Sequence, residues 1–164
     1  MAFRIITNMS VHINAFAPTE SAVMVGGAVN ATQIPFVSFR MPPLQVDQAH
    51  QLSAPVLLCM WAENGTDHDP HFYVQVRDPS GQTRGNVELA WIWDDVPDAP
   101  CKWRVFDLQV PFLVFDQGVH TFGIYANPDD SADQALASYP FPITFDTSLP
   151  PLPPGQLPPG AEYK

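Results

Sequence analysis

The chain has 164 residues and a mass of 18.1 kDa, enough for one domain whose core needs no disulfide or metal to hold it. Seventeen acids against seven bases give a formal net charge of −10, and the only lysines are Lys102 and Lys164. No basic stripe can be built from these, which argues against nucleic acid or an anionic membrane as partner. Charged residues make up 15%, well below the roughly 25% of an average soluble domain, so much of the surface is neutral and open to a protein partner or to self-association.

The start, MAFRIITNMSVHINAF, has one basic residue and no apolar run leading to a small-residue cleavage site. Neither a secretion signal nor a membrane span is expected. Predicted strands then follow in order: Phe3 to Ile13, Ala22 to Asn30, Ala54 to Trp61, His71 to Arg77, Thr83 to Trp93, Trp103 to Phe112, Val119 to Ala126 and Tyr139 to Phe145. Between the second and third, Gln33 to Ser53 carries Pro35, Pro42 and Pro43 and reads as a crossing loop with a short strand near Phe36 to Arg40. The clearest stretch is His71 to Asp95, where Phe72, Val74 and Val76 share one face, and Val87, Leu89, Trp91 and Trp93 share another across the turn Asp78-Pro79-Ser80-Gly81.

The only helical turn expected is Ser131 to Leu136. In the last strand Pro140 and Pro142 alternate with Tyr139, Phe141, Ile143 and Phe145. Proline cannot donate a ladder hydrogen bond, so this strand is expected at a sheet edge. About eight short strands separated by turn residues predict an all-β fold, an antiparallel sandwich of Greek-key or jelly-roll type, over residues 1–147. Residues 148–164, SLPPLPPGQLPPGAEYK, form a proline-rich extended tail with Leu149, Leu152 and Leu157 as its apolar anchors.

Chemistry-bearing patterns are sparse. Asp67-His68-Asp69-Pro70-His71 has the right side chains for a transition metal, but Pro70 and the strand entry send the two histidines apart. No cofactor is expected. A GxSxG elbow, a cysteine with a histidine partner and a phosphate loop are all lacking in the sequence, which points away from an enzyme. Cys59 and Cys101, without CxxC spacing, read as buried thiols, and His120, in phase with Phe122 and Ile124, reads as a core or edge histidine.

If consecutive strands run antiparallel, the connections Ala62 to Pro70, Asp94 to Lys102 and Asn127 to Ser138 share one end. They hold Glu63, Asp67, Asp69, Asp94, Asp95, Asp98, Asp129, Asp130 and Asp133, nine of the 17 acids. This predicts an acidic pole suited to a basic partner or a loosely held cation, although aspartate also favours loop tips for its turn chemistry. Trp91 and Trp93 lie in phase with Leu89 and are assigned to the core. Trp61 and Trp103 sit beside the acidic loops and are the aromatic candidates for a partner surface.

The order of these elements, with Ser21-Ala22-Val23-Met24-Val25-Gly26-Gly27, VLLCMWAEN, HFYVQVRDPSGQ, VFDLQVPFLVFDQGVHTFGIYAN and a closing SYPFPITF, resembles an uncharacterised, mainly actinobacterial family of small β-sandwich proteins known only as a domain of unknown function. The resemblance spans Phe3 to Phe145 and implies the sandwich fold and a bacterial cytoplasmic setting. It carries no site residues. The function expected is a non-enzymatic protein-interaction or assembly-subunit module, using the tail or the acidic pole. The alternatives are a small-ligand or carbohydrate-binding sandwich with aromatic residues at its loop ends, and a structural protein of a phage or other particle.

Overall fold

A computed structural model describes residues 10–32, 38–45 and 48–151. Among the described residues there are ten strands: β1 (His12–Pro18), β2 (Ser21–Val25), β3 (Ala28–Thr32), β4 (Phe39–Met41), β5 (His50–Glu63), β6 (His71–Arg77), β7 (Thr83–Ala90), β8 (Cys101–Val114), β9 (Gly118–Tyr125) and β10 (Ala137–Phe145). A single 3-10 turn, Ala132–Gln134, precedes β10. The fold is all-β, with three sheets of order β1-β5-β8, β4-β10-β9-β6-β7 and β2-β3.

Strict alternation builds the core. On β5, His50, Leu52, Ala54, Val56, Leu58, Met60 and Ala62 are all buried, and the residues between them face outward. On β6, Phe72, Val74 and Val76 are buried as the alternation predicted. The inner faces of the two larger sheets bury against each other in one cluster. At its centre Phe112 of β8 meets Phe122 of β9 and Phe141 of β10 edge-on, at 5.5 and 6.1 Å between ring centroids, the geometry the ring quadrupole favours.

One seam of the two sheets is closed where β7 runs against β8. A Cβ on Gly85 would lie 2.4 Å from the Pro111 carbonyl oxygen. At the end away from the acidic loops, the turn after β6 is organised by Asp78. Its carboxylate accepts from the Ser80 and Gln82 amides, the Ser80 hydroxyl and the Arg84 guanidinium. Burial raises the Asp78 pKa, but these donors outweigh it and hold the group at about 2.

Four expectations need correction. The predicted strand Ala22 to Asn30 is a hairpin, because Gly26 and Gly27, at φ 58° and 81°, reverse the chain between β2 and β3. The strand predicted to reach Trp93 ends at Ala90, with Trp93 buried beyond it. The sheets are not wholly antiparallel: β4 pairs parallel with β10, through Phe39–Ile143, Arg40–Thr144 and Met41–Phe145. β10 is therefore not the outermost strand, although β4 covers only its last three residues and leaves the stretch bearing Pro140 and Pro142 paired to β9 alone. The early strand predicted from Phe3 begins, among the described residues, at His12. Its earlier part lies outside them, as do Phe36 and Val37 of the short crossing strand.

Candidate functional site

β1, β5 and β8 align His12 opposite Trp61 and Trp61 opposite Trp103. All three side chains leave the outer face of the three-stranded sheet, since their neighbours Ile13, Met60 and Lys102 have the inward parity. The His12 and Trp61 rings stack face to face at 4.2 Å with 16° between planes. Trp61 and Trp103 stand 6.2 Å apart and open to 33°. The three rings therefore form a row across the strands, with Trp103, 52% exposed, as its open end. Further down, the outer face is mixed: Cys59 stands opposite Val105, and Leu57 stands between Ala17 of β1 and Asp107 of β8. Burial pushes the Cys59 thiol pKa up, as expected of a packed cysteine rather than a nucleophile.

The row sits at the end where two acidic loops are bound together. Asn64 clamps them: its side-chain amide donates to the carbonyls of Val96 and Ala99 at 2.7 and 2.8 Å, and its oxygen accepts from the Val96 amide. The Trp93 amide donates to the His68 carbonyl at 2.7 Å. Beneath them Lys102, fully buried on the inner side of β8, donates to the Trp93 carbonyl at 2.8 Å and pairs with Asp95 at 3.1 Å. Asp95 also accepts from the Gly65 amide. That bond, with Lys102 and His68, holds its carboxyl below the usual carboxylate range. Glu63, Asp69, Asp94, Asp95 and Asp98 are exposed around this rim, and Asp67 accepts from the Ser10 hydroxyl.

The third acidic loop behaves differently. After β9 the chain folds back over the outer face of the five-stranded sheet, where Gln75 donates to the Pro128 carbonyl and Arg77 to the Asp130 carbonyl, both at 2.6 Å. Asp130 is buried, and its carboxylate accepts from the Asn127 amide. Asp133 accepts from the Ser131 hydroxyl, which lowers its pKa, and Asp129 is exposed. Of the predicted residues, Trp61, Trp103, Asp94, Asp95 and Asp98 come together, whereas Asp129, Asp130 and Asp133 belong to the cover of the other sheet. Leu149 is exposed at the opposite end of the molecule; Leu152 and Leu157 lie outside the described residues.

The two histidines of the Asp67–His71 segment go to separate partners, His68 to Asp95 at 4.0 Å and His71 to Glu88 at 2.5 Å. Among the described residues no group of three or more His, Cys, Asp or Glu is placed to hold a metal ion, and no helix is long and apolar enough to cross a membrane. The bases do little to offset the rim. Arg40 pairs with Asp146, Arg84 with Asp78 and Lys102 with Asp95, and Arg77 bonds to Tyr125, Gln75 and Asp130, while Arg104 lies over the Phe106 ring.

His12, Lys102 and Asn64 are the members that sequence reasoning missed. His12 becomes visible only through the β1–β5 register, and Lys102 is a charge at an inward position that hydropathy assigns to the surface. No family model, curated protein or solved structure matches the chain.

Proposed function

We propose that this chain is a non-enzymatic interaction module, an assembly subunit built as a Greek-key-like β-sandwich, that binds a protein partner through the His12–Trp61–Trp103 row and its acidic rim. A bacterial cytoplasmic setting, and kinship with the uncharacterised family it resembles, belong to the same reading. The observation that carries it is the exposed Trp103 at the open end of the ring row, set beside two loops that display Glu63, Asp69, Asp94, Asp95 and Asp98. Exposed tryptophan beside a charged rim is the composition of a binding hot spot. His12 covers one face of Trp61, which leaves Trp103 as the most open ring of the row.

The test is native co-purification of the full chain against Trp103→Ala. Trp103 is half exposed, so the variant keeps the fold. A stoichiometric companion, or a defined oligomer, lost in the variant supports the reading; identical companions and mass in both overturn it.

A further inference from the structure

Of the six asparagines in the chain, Asn64 alone is followed by glycine. The backbone nitrogen after an asparagine can attack its side-chain amide carbon, and glycine, lacking a Cβ, hinders that approach least. Gly65 stands in the open: its φ is 83°, and no atom lies within 4 Å of the place a Cβ would take.

The closed loops hold the two reacting groups apart. The Gly65 amide donates to Asp95 Oδ1 at 2.9 Å. The Asn64 side chain is drawn to the other loop by the Val96 and Ala99 carbonyls, at 2.7 and 2.8 Å, and by the Val96 amide at 3.2 Å. The same bonds join the loops to each other. Asp67 on one loop and Asp98 on the other have left-handed backbones, at φ 47° and 61°, a conformation that residues with a Cβ keep only while their surroundings impose it.

We propose that Asn64-Gly65 is a self-modifying latch: when the loops open, Asn64 deamidates, and it cannot clamp them again. The Gly65 nitrogen, its proton lost to solvent, bonds to Asn64 Cγ. The Cγ–Nδ2 bond breaks, and the amide nitrogen takes a proton from water and leaves as ammonia. One water then opens the five-membered succinimide at either carbonyl and leaves aspartate or isoaspartate at position 64, with no oxidant or reductant consumed. The new carboxylate only accepts hydrogen bonds. It faces the Val96 and Ala99 carbonyls, which are acceptors too, so two bonds are lost and a further negative charge joins Asp94, Asp95 and Asp98. The step needs no partner and is independent of the binding reading above.

The experiment incubates wild type, folded and in urea, at mildly alkaline pH, and follows aspartate and isoaspartate at position 64 by peptide mass and chromatography. The unfolded chain should convert faster by about tenfold or more, because the folded one reacts only through local opening. The aged folded chain is then compared with fresh wild type and with Asn64→Asp by hydrogen exchange. In both altered chains the Gly65 and Val96 amides should exchange faster by about tenfold or more, as the loss of two hydrogen bonds allows. The Ser80 and Gln82 amides, held by Asp78 at the other end, should not change. A folded chain that never converts, equal rates in the folded and unfolded chains, or unchanged exchange at Gly65 and Val96 after conversion overturns the proposal. If Asn64→Asp does not fold, the aged wild type carries the comparison.

Discussion

Val74 shows what one position on an inward face is worth. It is fully buried between β7 and β9, opposite Val87 and Ile124, so Val74→Asp places a carboxylate where no partner can follow. The expected cost is about 3–5 kcal/mol, read as a fall of about 10 °C or more in melting temperature. A wild-type melting curve would contradict the assignment of that face. His120 is a different kind of buried residue. It is fully enclosed, its Nε2 has no hydrogen-bond partner, and its Nδ1 reaches only the Gly118 carbonyl at 3.4 Å. Burial pushes its pKa below the ordinary value; the Gly118 carbonyl, Asp78 and Asp116 favour the cation, and Arg84 opposes it. The unfolded chain therefore binds this proton more readily than the folded one. Stability from His120 is intact above its unfolded value of about 6.5 and falls as pH drops below it toward the depressed folded value. Melting temperatures between pH 8 and pH 5.5 should decline for the wild type and decline less for His120→Phe. Parallel slopes would show that the imidazole binds its proton equally in the folded and unfolded chains.

At the scale of elements, the seam between β7 and β8 and the loop over the five-stranded sheet give the molecule its two distinct outer surfaces. Gly85 permits the seam, because the Pro111 carbonyl and Phe112 occupy the place where a Cβ would stand. Gly85→Ala should cost about 1–3 kcal/mol through backbone displacement, more than glycine's intrinsic preference would account for. A stabilised variant would show that the two strands do not run this closely. On the outer face of the five-stranded sheet the loop covers the part around Gln75 and Tyr125, while Asn86, Glu88, Val119 and Pro140 stay exposed. Gln75 and Tyr125 are buried there, and Arg77 donates to the Tyr125 hydroxyl at 3.1 Å while lying over its ring at 5.1 Å. The corresponding face of the three-stranded sheet keeps Trp103 exposed beside His12 and Trp61.

For the whole molecule, charge is the dominant variable. With −10 overall and most described bases paired internally, the acidic rim selects against acidic chains and steers basic ones. Replacing Asp69, Asp94 and Asp98 with Asn should leave the fold intact, weaken binding of a basic probe such as oligolysine, and flatten its salt dependence. Equal salt slopes for the two proteins, measured by titration between low and physiological ionic strength, would remove the rim from the binding surface. Asp95 is left unchanged in this test, since it is the counter-charge of the buried Lys102 ammonium.

Local alternation by itself determined the class of fold and most strand positions. The His71–Arg77 strand coincides with its prediction, and β5, β8, β9 and β10 differ from theirs by a few residues at their ends. A pleat forces neighbouring side chains to opposite faces, so the period is written in the sequence whatever the sheet order. Trp61 and Trp103 were also legible as surface aromatics, from their place beside acidic turns. What only the tertiary structure decided is everything set by pairing between distant segments. The parallel contact of Phe39–Met41 with β10, the stacking of His12 on Trp61 and the folding of the Asn127–Ser138 loop across β6 leave no periodic trace in any one segment. Each depends on a register or a hydrogen bond between residues far apart in the chain. Lys102 is the sharpest case: its charge predicts the surface, and burial became tolerable only because the Trp93 carbonyl and Asp95 converge on its ammonium.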